Sequence, residues 1–101
     1  MKSNRTKATD ISSKVRKEIH ERDKHCIFCY TTSNPTVAHY ISRAHGGLGC
    51  KENLALVCLR CHMLLDQSKH RQTMMEYFKK YLEDKYPGFK DEERKYRKWK
   101  N

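Results

Sequence analysis

The sequence predicts a small α+β domain in which two short β-strands and flanking helices are held together by four cysteines. Two Cys-x-x-Cys pairs, Cys26/Cys29 and Cys58/Cys61, can offer four thiolates to one ion. Two β-prone runs lie between these pairs, and segments with helical periodicity flank them. The chain has 101 residues, of which 37% are apolar. A domain this small and polar needs support beyond its hydrophobic core, and a bound metal can supply it.

The N-terminal third is predicted to contain one helix. Residues 1–9 are expected to form a flexible basic arm. The helix is expected to end near Arg22, and its cap could be any of three residues: Asp10, Ser12 or Ser13. Its apolar residues recur at helical spacing: Ile11, Val15 and Ile19.

The segment between the cysteine pairs is predicted to form a strand, a loop and a second strand. Residues 36–41 alternate in polarity and are rich in β-prone residues. Residues 43–51 hold three of the four glycines, which indicates a loop. Asn53 follows this loop, and residues 55–57 form the second strand, which leads into Cys58.

The C-terminal half is predicted to be helical. A helix begins at Cys61 or His62, with a break near Ser68, and a second helix covers residues 70–85. That second helix has a packing face at Met74, Phe78, Tyr81 and Leu82. Pro87 and Gly88 end it, and residues 86–101 form a charged helix or tail. Residues 10–85 are therefore expected to be the folded domain.

Composition limits the partners. The net charge is +10 and the isoelectric point is near 9.5, so the surface attracts polyanions, above all a nucleic acid backbone. A membrane surface is disfavoured because the N-terminal residues lack the apolar face of an amphipathic helix. No apolar run is long enough for a signal peptide or a membrane span. We expect a soluble protein of the cytoplasm, where paired cysteines more often hold a metal than form disulfides.

Four thiolates at this spacing indicate a zinc ion in a closed, structural site. The interval between the two pairs is longer than in a simple zinc ribbon, so a further sub-structure is expected between them. A redox pair or two disulfides are the alternatives. Cys50, in the glycine loop, has no partner at this spacing and is assigned no role.

Three segments together resemble the HNH endonuclease family. They read Cys-Ile-Phe-Cys, then Ala-His-Tyr-Ile-Ser-Arg-Ala-His-Gly-Gly, then Glu-Asn-Leu-Ala-Leu-Val-Cys-Leu-Arg-Cys-His. No single segment is specific, but their order is, and the resemblance covers roughly residues 13–70. It implies the ββα-metal core of that family, also called the His-Me finger, with the zinc site that many members carry.

The resemblance also implies roles for three residues. His39 is expected to be the general base and His62 a ligand of a catalytic divalent cation. Asn53 either ligates that cation or ties the loop so that His39 points correctly. Histidine suits the base because its ordinary pKa is near 6.5. Mg²⁺ or Mn²⁺ is the expected catalytic ion, with other divalent cations left open, because such an ion can neutralise the phosphate and the leaving oxygen together.

One position departs from the family pattern. The residue before the base is commonly Asp or His in the family and binds the metal, whereas here it is Ala38. Asp66 is the preferred substitute because it lies four residues after His62 and so shares a helix face with it. His45 in the glycine loop is the second choice.

Basic residues near this expected site could hold DNA phosphates. Arg43 is the best of them, followed by Arg60, while Lys51 has solubility as its simpler role. Further lysines and arginines near both ends could add backbone affinity without base readout: Lys2, Arg5, Lys7, Lys95, Arg97, Lys98 and Lys100.

The expected function is therefore metal-dependent hydrolysis of phosphodiester bonds in double-stranded DNA. The alternative is a zinc-ribbon-like DNA-binding module without catalysis. Small members of the HNH family are typical of bacteriophages and prophages, some encoded beside packaging genes, so the resemblance implies a bacterial or phage-infected cytoplasm and a link to packaging machinery. The sequence leaves open whether the protein acts as a monomer or a dimer.

Overall fold

The fold is a small α+β arrangement around a two-stranded antiparallel sheet. The computed structural model describes residues 3–97. Four helices, α1 (Asn4–Thr9), α2 (Ser13–Asp23), α3 (Leu59–Gln67) and α4 (Arg71–Lys85), accompany strands β1 (Pro35–His39) and β2 (Leu54–Cys58). Short 3-10 turns occur at Arg43–His45, Lys51–Asn53 and Asp91–Arg94. The predicted fold class is confirmed at this level: a small α+β domain with four clustered cysteines.

The two strands pair in a single register. Pro35 lies opposite Cys58, Ala38 opposite Ala55, and His39 opposite Leu54. Every residue of β2 is buried, because both faces of the sheet are covered, and this explains why the strand is apolar without alternation.

Each face of the sheet packs against different helices. One face joins α2 through a cluster of Ile19, Val37, Leu54 and Leu56. The other face carries Ala38, Ala55 and Val57 and packs against Leu65 of α3 and Phe78 and Leu82 of α4. The predicted packing face of α4 is confirmed, since Met74 and Tyr81 also pack against this second cluster.

The predicted helix in the first third of the chain is confirmed, and the structure selects Ser12 as its cap. The Ser12 Oγ accepts a hydrogen bond from the Val15 N–H at 3.1 Å, the usual way to satisfy a free donor at a helix start. The break predicted near Ser68 is also found, because Ser68 caps the C-terminus of α3.

Two terminal expectations differ from the structure. Residues 1–9 were expected to be a flexible arm, yet residues 4–9 form α1, and Thr9 is buried. The segment 86–101 was expected to be a charged helix or tail, yet it contains the buried Arg94, whose Nε donates to the Glu52 carbonyl at 2.7 Å. Within residues 3–97, the segments near both ends contact residues distant in the sequence, which local sequence does not reveal. Lys2, Lys98, Trp99 and Lys100 lie outside the described residues.

The first strand is also shorter than the predicted span of residues 36–41. The Tyr40 N–H still donates across the pair, to the Asn53 carbonyl at 2.8 Å, but the Ile41 N–H donates to the Asn53 side-chain Oδ1 at 2.9 Å. One asparagine thus ends the strand and begins the loop.

A buried ion pair joins α2, β2 and α4. Both carboxylate oxygens of Asp23 accept from Arg22, at 2.6 and 2.9 Å, and one also accepts from the Leu56 N–H at 2.8 Å. The Tyr81 hydroxyl of α4 donates to the same carboxylate. Arg22 in turn donates to the Leu54 carbonyl at 2.7 Å. The outer edge of β2 is therefore paired with these side chains and, at the Leu56 carbonyl, with the Ile27 N–H at 3.0 Å, instead of with a third strand.

No helix among residues 3–97 combines the length and apolar character needed to cross a bilayer.

Replacing Tyr81 by Phe tests this buried ion pair. We expect Tyr81→Phe to lower the free energy of unfolding by about 2 kcal/mol, because a buried carboxylate loses a donor. Tyr77→Phe is the matched control on the same helix, since Tyr77 is 42% exposed and its hydroxyl lies 3.4 Å from that of the exposed Tyr30, and we expect a change below about 0.5 kcal/mol. Urea unfolding of the zinc-loaded proteins measures both. Equal stabilities of the two variants would contradict a structural role for the Tyr81–Asp23 bond.

Candidate functional site

The four paired cysteines converge on one point. Their sulfur atoms all lie within 4.8 Å of one another, and the Cys29 and Cys58 sulfurs are 3.7 Å apart. Four sulfurs at about 2.3 Å from a tetrahedral zinc ion are separated from one another by about 3.8 Å. The cluster can therefore hold a metal ion such as zinc, and an all-thiolate set leaves no position for substrate.

Local turns present these sulfurs. Tyr30 adopts a positive φ of 65°, and its N–H bonds to the Cys26 carbonyl at 3.0 Å, which closes the first knuckle. Cys58 ends β2 and also caps α3, because its sulfur accepts from the Cys61 N–H at 3.4 Å. The cluster thus ties the first knuckle to the junction between strand and helix.

The electrostatics of the cluster favour a cation. Burial opposes ionisation of Cys26, but hydrogen bonds from nearby backbone N–H groups prevail and bring its pKa to about 7. Burial and the neighbouring cysteines raise the pKa of Cys61. A bound cation would favour the thiolate form of each of these sulfurs. Cys50 is outside the cluster, and burial raises its pKa.

His39 ends β1 and is half-buried. Its Nε2 lies 2.9 Å from the carbonyl oxygen of Thr9. A carbonyl can only accept, so Nε2 must carry the hydrogen, and the lone pair of the neutral ring is then on Nδ1. Burial lowers the pKa of His39 from 6.5, and the charges of Arg43, His62 and Arg16 lower it further. The hydrogen bond to Thr9 acts in the opposite direction but does not prevail. The neutral imidazole, the form that can take a proton, is therefore favoured.

The tautomer of His62 on α3 is also set by a neighbour. Its Nδ1 lies 2.8 Å from the Thr36 hydroxyl, and that hydroxyl donates to the Val57 carbonyl at 2.6 Å. Because the Thr36 hydrogen is already used, Thr36 must accept from His62, and Nδ1 carries the hydrogen. The lone pair of His62 is then on Nε2. A histidine metal ligand usually has its other ring nitrogen held in this way.

Asn53 is fully buried and ties the loop. Its Oδ1 accepts from the Ile41 N–H, and its Nδ2 donates to the carbonyls of Ile41 at 3.1 Å and Leu48 at 2.9 Å. The side chain is fully buried, and both its oxygen and its nitrogen are engaged in the loop. Of its two expected roles, the structure supports only the loop tie.

The side chains expected to bind a catalytic cation do not form a complete site. Asp66 is exposed on α3, one turn after His62. His45 bonds to Ser42 at 2.8 Å through its Nδ1 and lines a cleft with Arg71 and Lys95. Within residues 3–97, the four cysteines are the only group of three or more His, Cys, Asp or Glu side chains whose ligand atoms converge. Neither candidate therefore completes a three-ligand site with His62, and Ala38 is buried in the core.

Two arginines place positive charge beside His39. Arg43 is about half exposed and forms an ion pair with Asp10, and Arg16 on α2 also acts on the His39 ring. Arg60 and Lys51 are exposed, and the Lys51 carbonyl accepts from Arg22 at 2.9 Å. Arg43 was expected to lie near His39. Its charge lowers the pKa of His39, which agrees with that expectation.

Sequence reasoning missed the contributions of Thr9, Arg16 and Thr36. Thr9 and Thr36 each set the tautomer of a histidine, and Thr9 lies 30 residues before its partner. No periodicity or spacing could have indicated these contacts. The β-alternation of residues 36–41 did place Thr36 and Ala38 on one face, which is the only local signal for the Thr36 position.

The comparisons with known proteins leave the family open: no family model matches the chain, and no curated protein matches it.

The metal centre is tested by removing one of its sulfurs. We expect Cys58→Ser to abolish zinc binding and the cooperative unfolding transition, because folding and metal binding are coupled in small domains of this kind. Cys50→Ser is the matched control and is expected to retain zinc and fold. Metal content by elemental analysis and folding by circular dichroism measure both outcomes. A folded Cys58→Ser protein with a full zinc complement would contradict the assignment.

Proposed function

We propose that the protein is a metal-dependent endonuclease of the HNH type that hydrolyses phosphodiester bonds in double-stranded DNA. One observation carries this proposal. A half-buried histidine, His39, has its lone pair on Nδ1 and a lowered pKa, and it lies beside the positive charges of Arg43 and Arg16. A neutral base among cations is what abstraction of a proton near an anionic phosphate requires.

His39 acts as the general base in this proposal. Its Nδ1 takes one proton from a water molecule while the water oxygen bonds to phosphorus. The bond between phosphorus and the 3′ oxygen breaks, and that oxygen takes a proton from solvent. The products are a 3′-hydroxyl and a 5′-phosphate. Arg43 and Arg16 favour binding of the charged phosphate close to the base.

The catalytic cation is proposed to be Mg²⁺ or Mn²⁺. Magnesium is commonly held by one or two protein ligands together with phosphate oxygens and water, so the Nε2 of His62 and the carboxylate of Asp66 make a compatible pair. When bound, such an ion would neutralise charge on the phosphate and the leaving oxygen. The order of β1, β2 and α3, with His39 and His62 on the first and last, supports the proposed ββα-metal core.

Duplex DNA is the proposed partner. The net charge of +10 favours a polyanion, and the exposed Arg60 and Lys51 add to the positive charge near His39's loop and α3. These contacts predict affinity for the backbone without sequence readout. On the family resemblance we also propose a cytoplasmic location in bacteria or phage-infected cells and a role beside packaging machinery. Double-strand cleavage by a chain with one such site would need either two copies or two successive nicks.

A non-catalytic DNA-binding module is the second candidate. The burial of Ala38 favours it, since the position where the family carries a metal ligand has no ligand atom here. Such a module needs the cysteine cluster but neither His39 nor His62.

A plasmid-nicking assay separates these functions. With Mg²⁺ or Mn²⁺, we expect the zinc-loaded protein to convert supercoiled plasmid to relaxed and linear forms. His39→Ala should lower the rate by about 10²- to 10⁴-fold, because it removes a general base. His20→Ala is the matched control, since His20 is exposed on α2. We expect this variant to cleave at the normal rate. DNA binding without cleavage by the unaltered protein under either metal would favour the binding module.

The pH dependence follows from the lowered pKa of His39. The base is active when neutral, so the cleavage rate should rise with pH through a midpoint below 6.5 and stay level near pH 7. An NMR titration of the His39 ring measures the same pKa without relying on activity. A ring that titrates above 6.5 would contradict the sign of this effect.

A further inference from the structure

The N-terminal segment of residues 3–10, here called the clasp, contacts the glycine loop of residues 42–49. The Arg5 Nη2 donates to the Ala44 carbonyl at 2.7 Å and also approaches the Arg43 carbonyl at 3.3 Å. The Ala8 carbonyl accepts from the Gly49 N–H at 2.9 Å. Several contacts of different kinds therefore hold the two segments together.

Gly49 allows this close approach. A Cβ atom built at Gly49 would lie 2.0 Å from the Asp10 carbonyl oxygen and 2.6 Å from its carbon. No side chain larger than hydrogen fits there unless the backbone of the clasp moves away. The absence of a side chain at residue 49 is thus a requirement of the contact.

The end of the clasp reaches His39. Thr9 is 4% exposed, and its carbonyl is the acceptor for the His39 Nε2–H. The ion pair between Asp10 and Arg43 lies at the next residue. The group that orients His39 therefore comes from outside the strand pair and α3, from a segment that sequence patterning identifies only as basic.

We propose that the clasp is a positioning element for His39, acting through the Thr9 carbonyl. With the clasp seated, the imidazole has one orientation and presents the lone pair of Nδ1 away from Thr9. With the clasp displaced, the ring can rotate about its side-chain torsions and either nitrogen can carry the hydrogen. Its consequence for catalysis rests on the proposed nuclease function, whereas its effect on the His39 ring does not.

A pair of charge-matched variants tests the clasp. Arg5→Gln removes the donor to the loop carbonyls, while Lys7→Gln removes the same charge from an exposed position of the same helix. The readouts are the Nε2–H signal of His39 and the hydrogen exchange of the Gly49 amide, measured by NMR on the zinc-loaded full chain. We expect exchange of Gly49 to accelerate about tenfold in Arg5→Gln, in line with the loss of one hydrogen bond, and the Nε2–H signal to broaden. Lys7→Gln should leave both readouts unchanged.

Gly49→Ala displaces the clasp in a second way, because the added Cβ in the loop would collide with the Asp10 carbonyl. It should abolish the slowly exchanging Nε2–H signal while zinc binding is retained. At saturating DNA, both Arg5→Gln and Gly49→Ala should cleave at least about tenfold more slowly than Lys7→Gln. An unchanged His39 signal in both clasp variants would overturn the proposal. If no protein in the series cleaves DNA but the His39 signal responds as expected, the nuclease proposal fails and the clasp stands.

Discussion

Four sulfur atoms within 4.8 Å of one another join the first knuckle to the point where β2 ends and α3 begins. Cys58 is the last residue of the strand and the cap of the helix, so one of the four sulfurs lies at the junction between them. The cluster also holds the first knuckle, whose Ile27 N–H bonds to the Leu56 carbonyl at 3.0 Å. A closed thiolate site can contribute folding free energy directly, which suits a chain with so small an apolar core.

Buried polar groups hold together segments that the small hydrophobic core does not connect. Asp23 and Arg22 satisfy the outer edge of β2, and Arg94 lies beneath Tyr40 and Phe89 with its guanidinium 5.8 and 5.1 Å from the two ring centres. Most of these groups have hydrogen-bond partners, as burial requires. They connect segments distant in sequence, and they place the loop after β1 relative to the helices. Two histidine tautomers depend on the same kind of contact, through the Thr9 carbonyl and the Thr36 hydroxyl.

Features with local causes could be predicted from the sequence. The cysteine spacing predicted the four-cysteine cluster, Ser12 was among the expected helix caps, and the glycines of residues 43–51 predicted the loop. The contacts that orient the candidate site could not be predicted, because they join residues far apart in the sequence, such as Thr9 with His39, Thr36 with His62 and Arg94 with Glu52. The dual expectation for Asn53 shows the same limit. Its loop position was visible in the sequence, but its complete burial was not.

Both ends of the described chain meet at Gly46. A Cβ atom at this residue would lie 4.0 Å from the Arg5 Nη2 and 3.7 Å from the Tyr96 nitrogen, and Tyr96 bonds to the Gly46 carbonyl at 2.7 Å. Contacts of such high sequence separation form late and slowly in folding, because long loops must close first. During synthesis on the ribosome, the cysteine cluster can assemble once residue 61 has emerged. The loop beside His39 acquires its full set of neighbours only after residue 96 has followed.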